Sequence, residues 1–491
     1  MLRTLGLSTL APLLSPAFAG CGPGDRGKLR VQPVRQLEVE PIREVLREQI
    51  ALLSQRFSHA SAHVTLSQQS WAMVDADRKS SRRAGRAGLV FEVGQRGQYS
   101  AHGTTDLSAA GIHTAAATLR DRAAASYQSL RPSTPLGRAR DYAAELQDDP
   151  RTLPLASWLE RLSALHERSR AVGGSRIVYR GSYLLVDDRT ELYVGQGRDL
   201  AQRLVRTRAG VALIAQRSRR QSSVPIVELA ENSGLIGLEA IELPQASLES
   251  AAERVLAMVT PTAPPKGSMS LLLAPSLAAQ FARECVGAAL DAETWLNGSR
   301  AADLMGQKIG SDVVTLTDDP TRPGAYGSYF FDCEGQPAAP TILIDRGRLT
   351  IPVSDRRSAA LLGLARTANG RRLHPLSQAR PHLSNVGFAA GQAKRADLLA
   401  AIDRGLMLEG GVYAHADPQS WRFCLRAARA HEVRGGKTTG VLYSNVDIRG
   451  DVPALLRAVE GVSAAVAFAP APAPTAGTMG SPDLLTHAEV I

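Results

Sequence analysis

Leu271-Leu272-Leu273-Ala274-Pro275-Ser276-Leu277-Ala278-Ala279-Gln280-Phe281-Ala282-Arg283-Glu284-Cys285-Val286-Gly287-Ala288-Ala289-Leu290-Asp291-Ala292-Glu293 is the stretch on which the reading of the fold turns. Residues 270–273 form an apolar run of strand length, and Pro275 suits the first turn of a helix. The pattern then predicts one apolar helix over 276–292. Upstream, residues 261–265 are a Thr/Ala/Pro linker and the best candidate for a domain boundary. Downstream, β-rich runs at 313–316, 341–344, 349–351 and 440–443 dominate, with Asp345-Arg346-Gly347-Arg348 as a hairpin turn. Short helices are predicted at 397–405 and 452–459.

Before the linker the periods are mixed. Ile42, Val45, Leu46, Ile50, Leu53 and Phe57 recur at helical spacing, residues 109–125 are Ala-rich, and Trp158, Leu162 and Leu165 mark another amphipathic helix. Residues 89–93 read as a strand. Three short antiparallel strands are predicted at 177–179, 183–186 and 191–195, separated by Arg180-Gly181 and Asp187-Asp188, with 211–215 extending the set. Gly195-Gln196-Gly197 lacks the third glycine and the βαβ setting of a phosphate loop, and reads as a turn. A helix follows at 248–258. The predicted class is α+β in two domains: a mixed α/β N-terminal domain with antiparallel strands over 35–260, and a β-dominated C-terminal domain over 266–491 that carries the motif helix.

The 491 residues are 44% apolar and 21% charged, which excludes a disordered or fibrous chain. The formal charge is +10, yet only six of the 57 basic residues are lysines, and the arginines are scattered rather than gathered in a stripe. With aromatics at 5%, no specific nucleic-acid role is expected. Four cysteines (Cys21, Cys285, Cys333, Cys424) without CxxC spacing make no disulfide framework.

Residues 1–20 read as an export signal: Arg3, a short apolar run, then Ala17-Phe18-Ala19 before Gly20-Cys21. Phe18-Ala19-Gly20-Cys21 resembles a lipobox, which would place a lipid on Cys21, although Phe18 stands where Leu or Val is usual. The expectation is an exported protein, periplasmic or held at a membrane as a lipoprotein.

A strand, a proline and an apolar helix ending in Arg283-Glu284-Cys285-Val286-Gly287-Ala288 resemble the TldD/PmbA family of zinc metallopeptidases, whose active members carry H-E-x-x-x-H there. The likeness continues through Asp318-Asp319-Pro320, Asp332-Cys333-Glu334-Gly335-Gln336-Pro337, the hairpin around Asp345, Thr367-Ala368-Asn369-Gly370-Arg371-Arg372, Pro381-His382-Leu383-Ser384-Asn385 and residues 436–448. The departures are chemical. Arg283 stands at the first histidine position and Ala288 at the second, and neither can bind zinc. Residues 473–480 supply no cysteine for a third ligand. Glu284 keeps the general-base position, with no metal-bound water to activate. No cofactor is therefore expected in this chain, although intact members use zinc.

Asn369, Arg371 and Arg372 are the candidates for peptide binding, the guanidiniums being able to grip a carboxylate in bidentate fashion. The resemblance implies a TldE-like, non-catalytic subunit or a peptide-binding pseudoenzyme in proteolysis. Its partners would be a peptide or unfolded polypeptide and an intact TldD-like subunit in a hetero-oligomer, or a second copy in a homodimer. Two other readings stand beside it. One is an active peptidase with a site rebuilt from Cys285, Cys333, His374, His382 or His431, or with Cys285 as nucleophile. The other is a structural envelope lipoprotein.

Overall fold

The structure, a computed structural model, describes residues 39–76, 78–95, 98–124, 137–195, 197–215, 226–259, 262–470 and 477–491. The expected export signal and Cys21 lie outside them. The chain is α+β, as its pattern predicts.

The first sheet is built from long antiparallel hairpins. Its order is β3 (Gln98–Thr104), β2 (Lys79–Gln95), β1 (His59–Asp75), β5 (Ile177–Gly195), β6 (Arg198–Ala215) and β4 (Ala139–Ala143), with β7 (Ile226–Gly234) also on β6. Only β4 runs parallel to its neighbour. Here the structure corrects the sequence reading, because 177–195 is one continuous strand rather than three. Arg180-Gly181 and Asp187-Asp188 do not turn the chain, since Gly181, Asp187 and Asp188 are paired on both sides and Arg180 is paired with Leu213. Gly181 faces Asp75 and Ala212, and Asp187 faces Gln69 and Arg206. A ladder bonded along both edges holds residues that favour turns when isolated.

Strand alternation then decides what each face meets. On β5, Leu184, Val186, Leu192 and Val194 point to one side. There they are covered by α1 (Val39–Ser54) and α2 (Ala109–Ala124) at one end, and by α3 (Leu155–Arg170) and α4 (Gln245–Ala257) at the other. The alternate positions Asp187, Arg189, Glu191 and Tyr193 point to the opposite side.

The C-terminal half holds two six-stranded sheets. In one, β17 (Lys437–Asp451), β16 (Arg422–Arg434), β15 (Arg404–Ala416), β8 (Gly267–Leu273) and β21 (Leu484–Val490) pair in turn, and β21 returns to β17, so the sheet closes on itself. β18 (Gly461–Val462) extends it from β21. The other has the order β11 (Arg348–Leu349), β10 (Thr341–Asp345), β9 (Leu316–Asp318), β14 (Asn385–Phe388), β20 (Thr478–Ser481) and β19 (Ala467–Pro470). The turn between β10 and β11 is the hairpin that the sequence predicts: Arg346 and Gly347 both take positive φ, at 45° and 77°. Strand formation at 313–316 is confined to Leu316, and Gly405 belongs to a strand rather than to the end of a helix.

The polar face of the first sheet is buried against residues 326–336. Arg206 donates to the carbonyls of Tyr326 and Ser328, each at 2.8 Å. Gln202 accepts from Phe330 N at 2.8 Å and donates to the Phe331 carbonyl at 2.9 Å. Arg198 donates to the Gly335 carbonyl at 2.7 Å. Gly335 has φ +72°, and a Cβ there would lie 2.3 Å from the Tyr193 ring, so the Asp-Cys-Glu-Gly turn needs glycine twice over. Arg356 completes the seam, pairing with Glu92 and donating to the Glu334 carbonyl at 3.1 Å.

Arg356 Nη1 also lies 2.8 Å from His59 Nε2, an arrangement that requires a neutral ring. Burial, reinforced by the Arg356 charge, lowers the His59 pKa from 6.5 to about 4. Between these values the unfolded chain takes up a proton that the folded chain refuses, so this contribution to stability is present above pH 6.5 and lost towards pH 4. Urea midpoints are expected to fall on acidification through that window, and to fall less in His59→Gln. Equal slopes in the two proteins would contradict the assignment.

Candidate functional site

The motif helix lies between the two C-terminal sheets. α5 (Pro275–Gln280) widens into a π-turn over Phe281–Val286 and tightens into a 3-10 turn over Gly287–Ala289. The unbroken helix expected over 276–292 thus ends early and changes pitch. Phe281 is fully buried, 5.2 Å from the Phe423 ring of one sheet and 6.4 Å from the Phe388 ring of the other. Trp421 Nε1 donates to the Cys285 carbonyl at 3.0 Å, meeting an acceptor that the changed pitch leaves free.

The pitch matters for the motif. Residues five apart on an α-helix lie about 140° apart around the axis. The i→i+5 repeat of a π-turn brings them much nearer to one face. Position 283 lies in the π-turn and is buried, whereas position 288 lies in the 3-10 turn beyond it and is exposed.

The side chains do not fit a zinc ion. Arg283 is 8% exposed, and its Nε lies 3.5 Å from Glu284. Its guanidinium packs against Gly477, where a Cβ would lie 3.0 Å from Nη1. Burial lowers the Arg283 pKa, while Glu284 and Asp318 oppose the shift. Ala288 is exposed and offers no donor atom. The helix and the C-terminal segment do converge, as a three-ligand site would require, but an arginine and a glycine meet there. Residues 473–476 lie outside the described residues. Glu284 is half-buried, and burial raises its pKa against the opposing charge of Arg283.

The structure also separates the residues considered for a rebuilt centre. Among the described residues, no three His, Cys, Asp or Glu donor atoms gather around Glu284. His374 is exposed beside Arg86, His431 lies 3.7 Å from Glu409, and Cys333 faces the first sheet. His382 sits among Arg371, Arg283 and Arg380, and burial lowers its pKa to about 4. Burial and the Glu284 charge push the Cys285 thiol up, opposite to what a nucleophilic thiolate needs.

The proposed peptide grip is corrected as well. Asn369 is fully buried, its Nδ2 donating to Asp318 at 2.7 Å and to the His382 carbonyl at 3.1 Å. Arg371 is buried, 5.1 Å over the Tyr329 ring. Arg372 is buried too, donating to the Ser377 carbonyl and reaching Glu92 at 4.0 Å. The Thr-Ala-Asn-Gly-Arg-Arg run therefore serves the interior. Its centre is Asp318, which sequence reading placed only in a turn: besides Asn369 it accepts from Ser384 N and Oγ, each at 2.7 Å. An open recess of about 360 Å³ lies on the sheet that backs the motif helix, lined in part by Thr317, Arg322, Asn385, Phe388, Phe468 and Gly480.

Fold and site together define an α+β chain whose motif helix carries no metal-ligand pair. Residues 266–490 match the model of the PmbA/TldA metallopeptidase C-terminal domain. That C-terminal domain belongs to the TldD/PmbA family. It is similar to a metalloprotease of Methanocaldococcus jannaschii, 31% identical over 236 residues, which are 48% of this chain and 52% of the relative. It is also similar to a metalloprotease TldD homolog of Buchnera aphidicola, 27% identical over 172 residues, or 35% of this chain and 36% of the relative. The sequence match thus spans about half of the first relative and a third of the second. The fold extends further. TldE from Thermococcus kodakarensis superposes with a TM-score of 0.72 over 91% of this chain and 99% of its own, at 19% identity. A putative modulator of a DNA gyrase from Thermotoga maritima gives 0.73 over 92% and 100%, at 17% identity.

Asp318→Ala strands three buried donors and is expected to cost about 3 kcal/mol or more in urea unfolding. Arg283→Met, which removes an incompletely paired buried cation of similar length, is expected to change stability by no more than about 1 kcal/mol. The reverse order of effects would show that Arg283, not Asp318, organises this region.

Proposed function

We propose that the chain is a non-catalytic, TldE-like subunit that helps hold a peptide or unfolded polypeptide while an intact TldD-like subunit cuts it. The observation that carries this reading is the buried Arg283 guanidinium at the first ligand position, with a bare methyl group at the second. Zinc hydrolysis needs a cation between neutral or anionic donors. A guanidinium there repels the ion and cannot lose its proton to become a donor. Without a metal-bound water, Glu284 has no proton to take. The likeness in fold to TldE supports the pairing, and the recess near Phe468 has the dimensions of a side-chain pocket.

The test uses the purified chain alone and mixed with a family member carrying intact H-E-x-x-x-H. The chain alone is expected to leave an unstructured peptide uncut. The mixture should form a complex that cuts faster than the intact subunit does, at a rate unchanged by Glu284→Gln. Cleavage by the chain alone that Glu284→Gln abolishes would overturn the reading.

The same reading takes the protein as exported. No helix among the described residues is long and apolar enough to cross a membrane, and a lipid on Cys21 is the tether that the lipobox-like Phe18-Ala19-Gly20-Cys21 would supply. The mature protein is expected to begin at Gly20, or at an acylated Cys21, by intact mass and N-terminal sequencing. Retention of residues 1–19 in the cell-envelope protein would refute cleavage of this signal, and a chain confined to the cytoplasm would refute export.

A further inference from the structure

His63 on β1 is buried at 2% exposure, and neither of its ring nitrogens has a hydrogen-bond partner among the described residues. A neutral imidazole carries one donor and one acceptor, and leaving either unmet in the interior is costly. What the ring faces instead is a set of metal-ligand atoms. The ligating atoms of His63, Glu191 and Cys333 all lie within 4.8 Å of one another, and all three residues are buried.

Their convergence follows from the topology. His63 pairs with Tyr193 and Thr65 with Glu191, so His63 and Glu191 are diagonal neighbours on the polar face of the first sheet. Cys333 comes from the C-terminal half, in the turn fixed by the backbone bond from Cys333 N to the Gly370 carbonyl at 2.9 Å. The Glu191 carboxylate is oriented by Gln202 Nε2 at 2.5 Å and Arg189 Nη1 at 3.5 Å, the support that ligating carboxylates require.

We propose that His63, Glu191 and Cys333 form a binding site for one thiophilic divalent ion of the zinc class, set in the seam between the two halves of the molecule. Imidazole, carboxylate and thiolate are the donors that zinc takes, at about 2.0–2.3 Å. Tetrahedral bonds of that length space the ligand atoms about 3.3–3.7 Å apart, which small side-chain rotations reach from the present positions. On binding, the Cys333 thiol gives its proton to solvent and the sulfur lone pair to the metal. The dication, the thiolate, the carboxylate and a neutral His63 then sum to zero charge. Arg189, Arg206 and Arg372 stand around the site with Asp187, so a ligand set bringing two negative charges is what lets a dication sit among guanidiniums. The site shares no residue with the motif helix, and the proposal does not depend on the subunit reading above. Its ligands come from both halves and are buried once these meet, so the ion enters as the chain folds.

The full chain, made in zinc-supplemented medium and measured without an affinity tag, is expected to carry close to one zinc by mass spectrometry. Refolding with cobalt should give a thiolate-to-cobalt charge-transfer band in the near ultraviolet. Cys333→Ser, nearly isosteric, should lose both the zinc and the band, whereas Cys285→Ser, Cys424→Ser and Glu284→Gln should keep them. His63→Gln should lose the metal as well. If it does not fold, Cys333→Ser, with its fold checked by circular dichroism, decides alone. A metal-free wild type by both routes, or metal retained in folded Cys333→Ser, overturns the proposal. Metal lost in Glu284→Gln but kept in Cys333→Ser would overturn it and the non-catalytic reading together. Metal lost in Cys333→Ser alone, with peptide left uncut, supports both.

Discussion

Everything in the molecule rests on the seam where the polar face of the first sheet receives residues 326–336. Gln202, Arg206 and Arg198 reach from β6 to main-chain groups of that segment, and Arg356 reaches back to Glu92 and His59. Main-chain carbonyls in a buried loop need partners, and here guanidiniums and a carboxamide supply them. Because each long arginine bonds fixed atoms on the other half, the two halves are held by geometry as well as by buried area. Fixing this segment also positions the Asp332–Gln336 turn, in which Asp332 Oδ1 accepts from Glu334 N at 3.0 Å and Gln336 N at 2.8 Å.

The motif helix is held by packing on both of its sides. Its apolar face is clamped between Phe388 and Phe423, and Trp421 caps a carbonyl released by the π-turn. These contacts hold the unusual pitch. Arg283 fills the space between the helix and Gly477 and is stabilised in part by the buried carboxylate of Asp318. The packing of this helix depends on its apolar and aromatic contacts and not on metal-donor atoms at 283 and 288.

Much of the fold was legible in the sequence. Leu46, Ile50 and Leu53 at helical spacing, the strand and proline before the motif helix, and the hairpin at Arg346-Gly347 all report local physics that the tertiary structure leaves unchanged. The strand over 177–195 was not legible, because its polar dipeptides become strand only when β1 and β6 bond both edges. Nor were the roles of Asn369, Arg371 and Arg372. Polar residues in a glycine-bearing run look like a binding loop, and only burial shows that they serve Asp318, Tyr329 and the Ser377 carbonyl.

The sequence by itself determined the class of fold, the family, and the absence of donor atoms at 283 and 288, because each depends on residue identity at local or motif spacing. The tertiary structure alone decided which polar residues are interior. The face of β5 that carries Asp187, Arg189, Glu191 and Tyr193 has the alternation of a solvated strand, and it is buried because a segment more than a hundred residues away lies on it. The meeting of His63, Glu191 and Cys333 belongs to the same category. Alternation along a strand fixes which residues share a face, and only the rest of the chain fixes what that face meets.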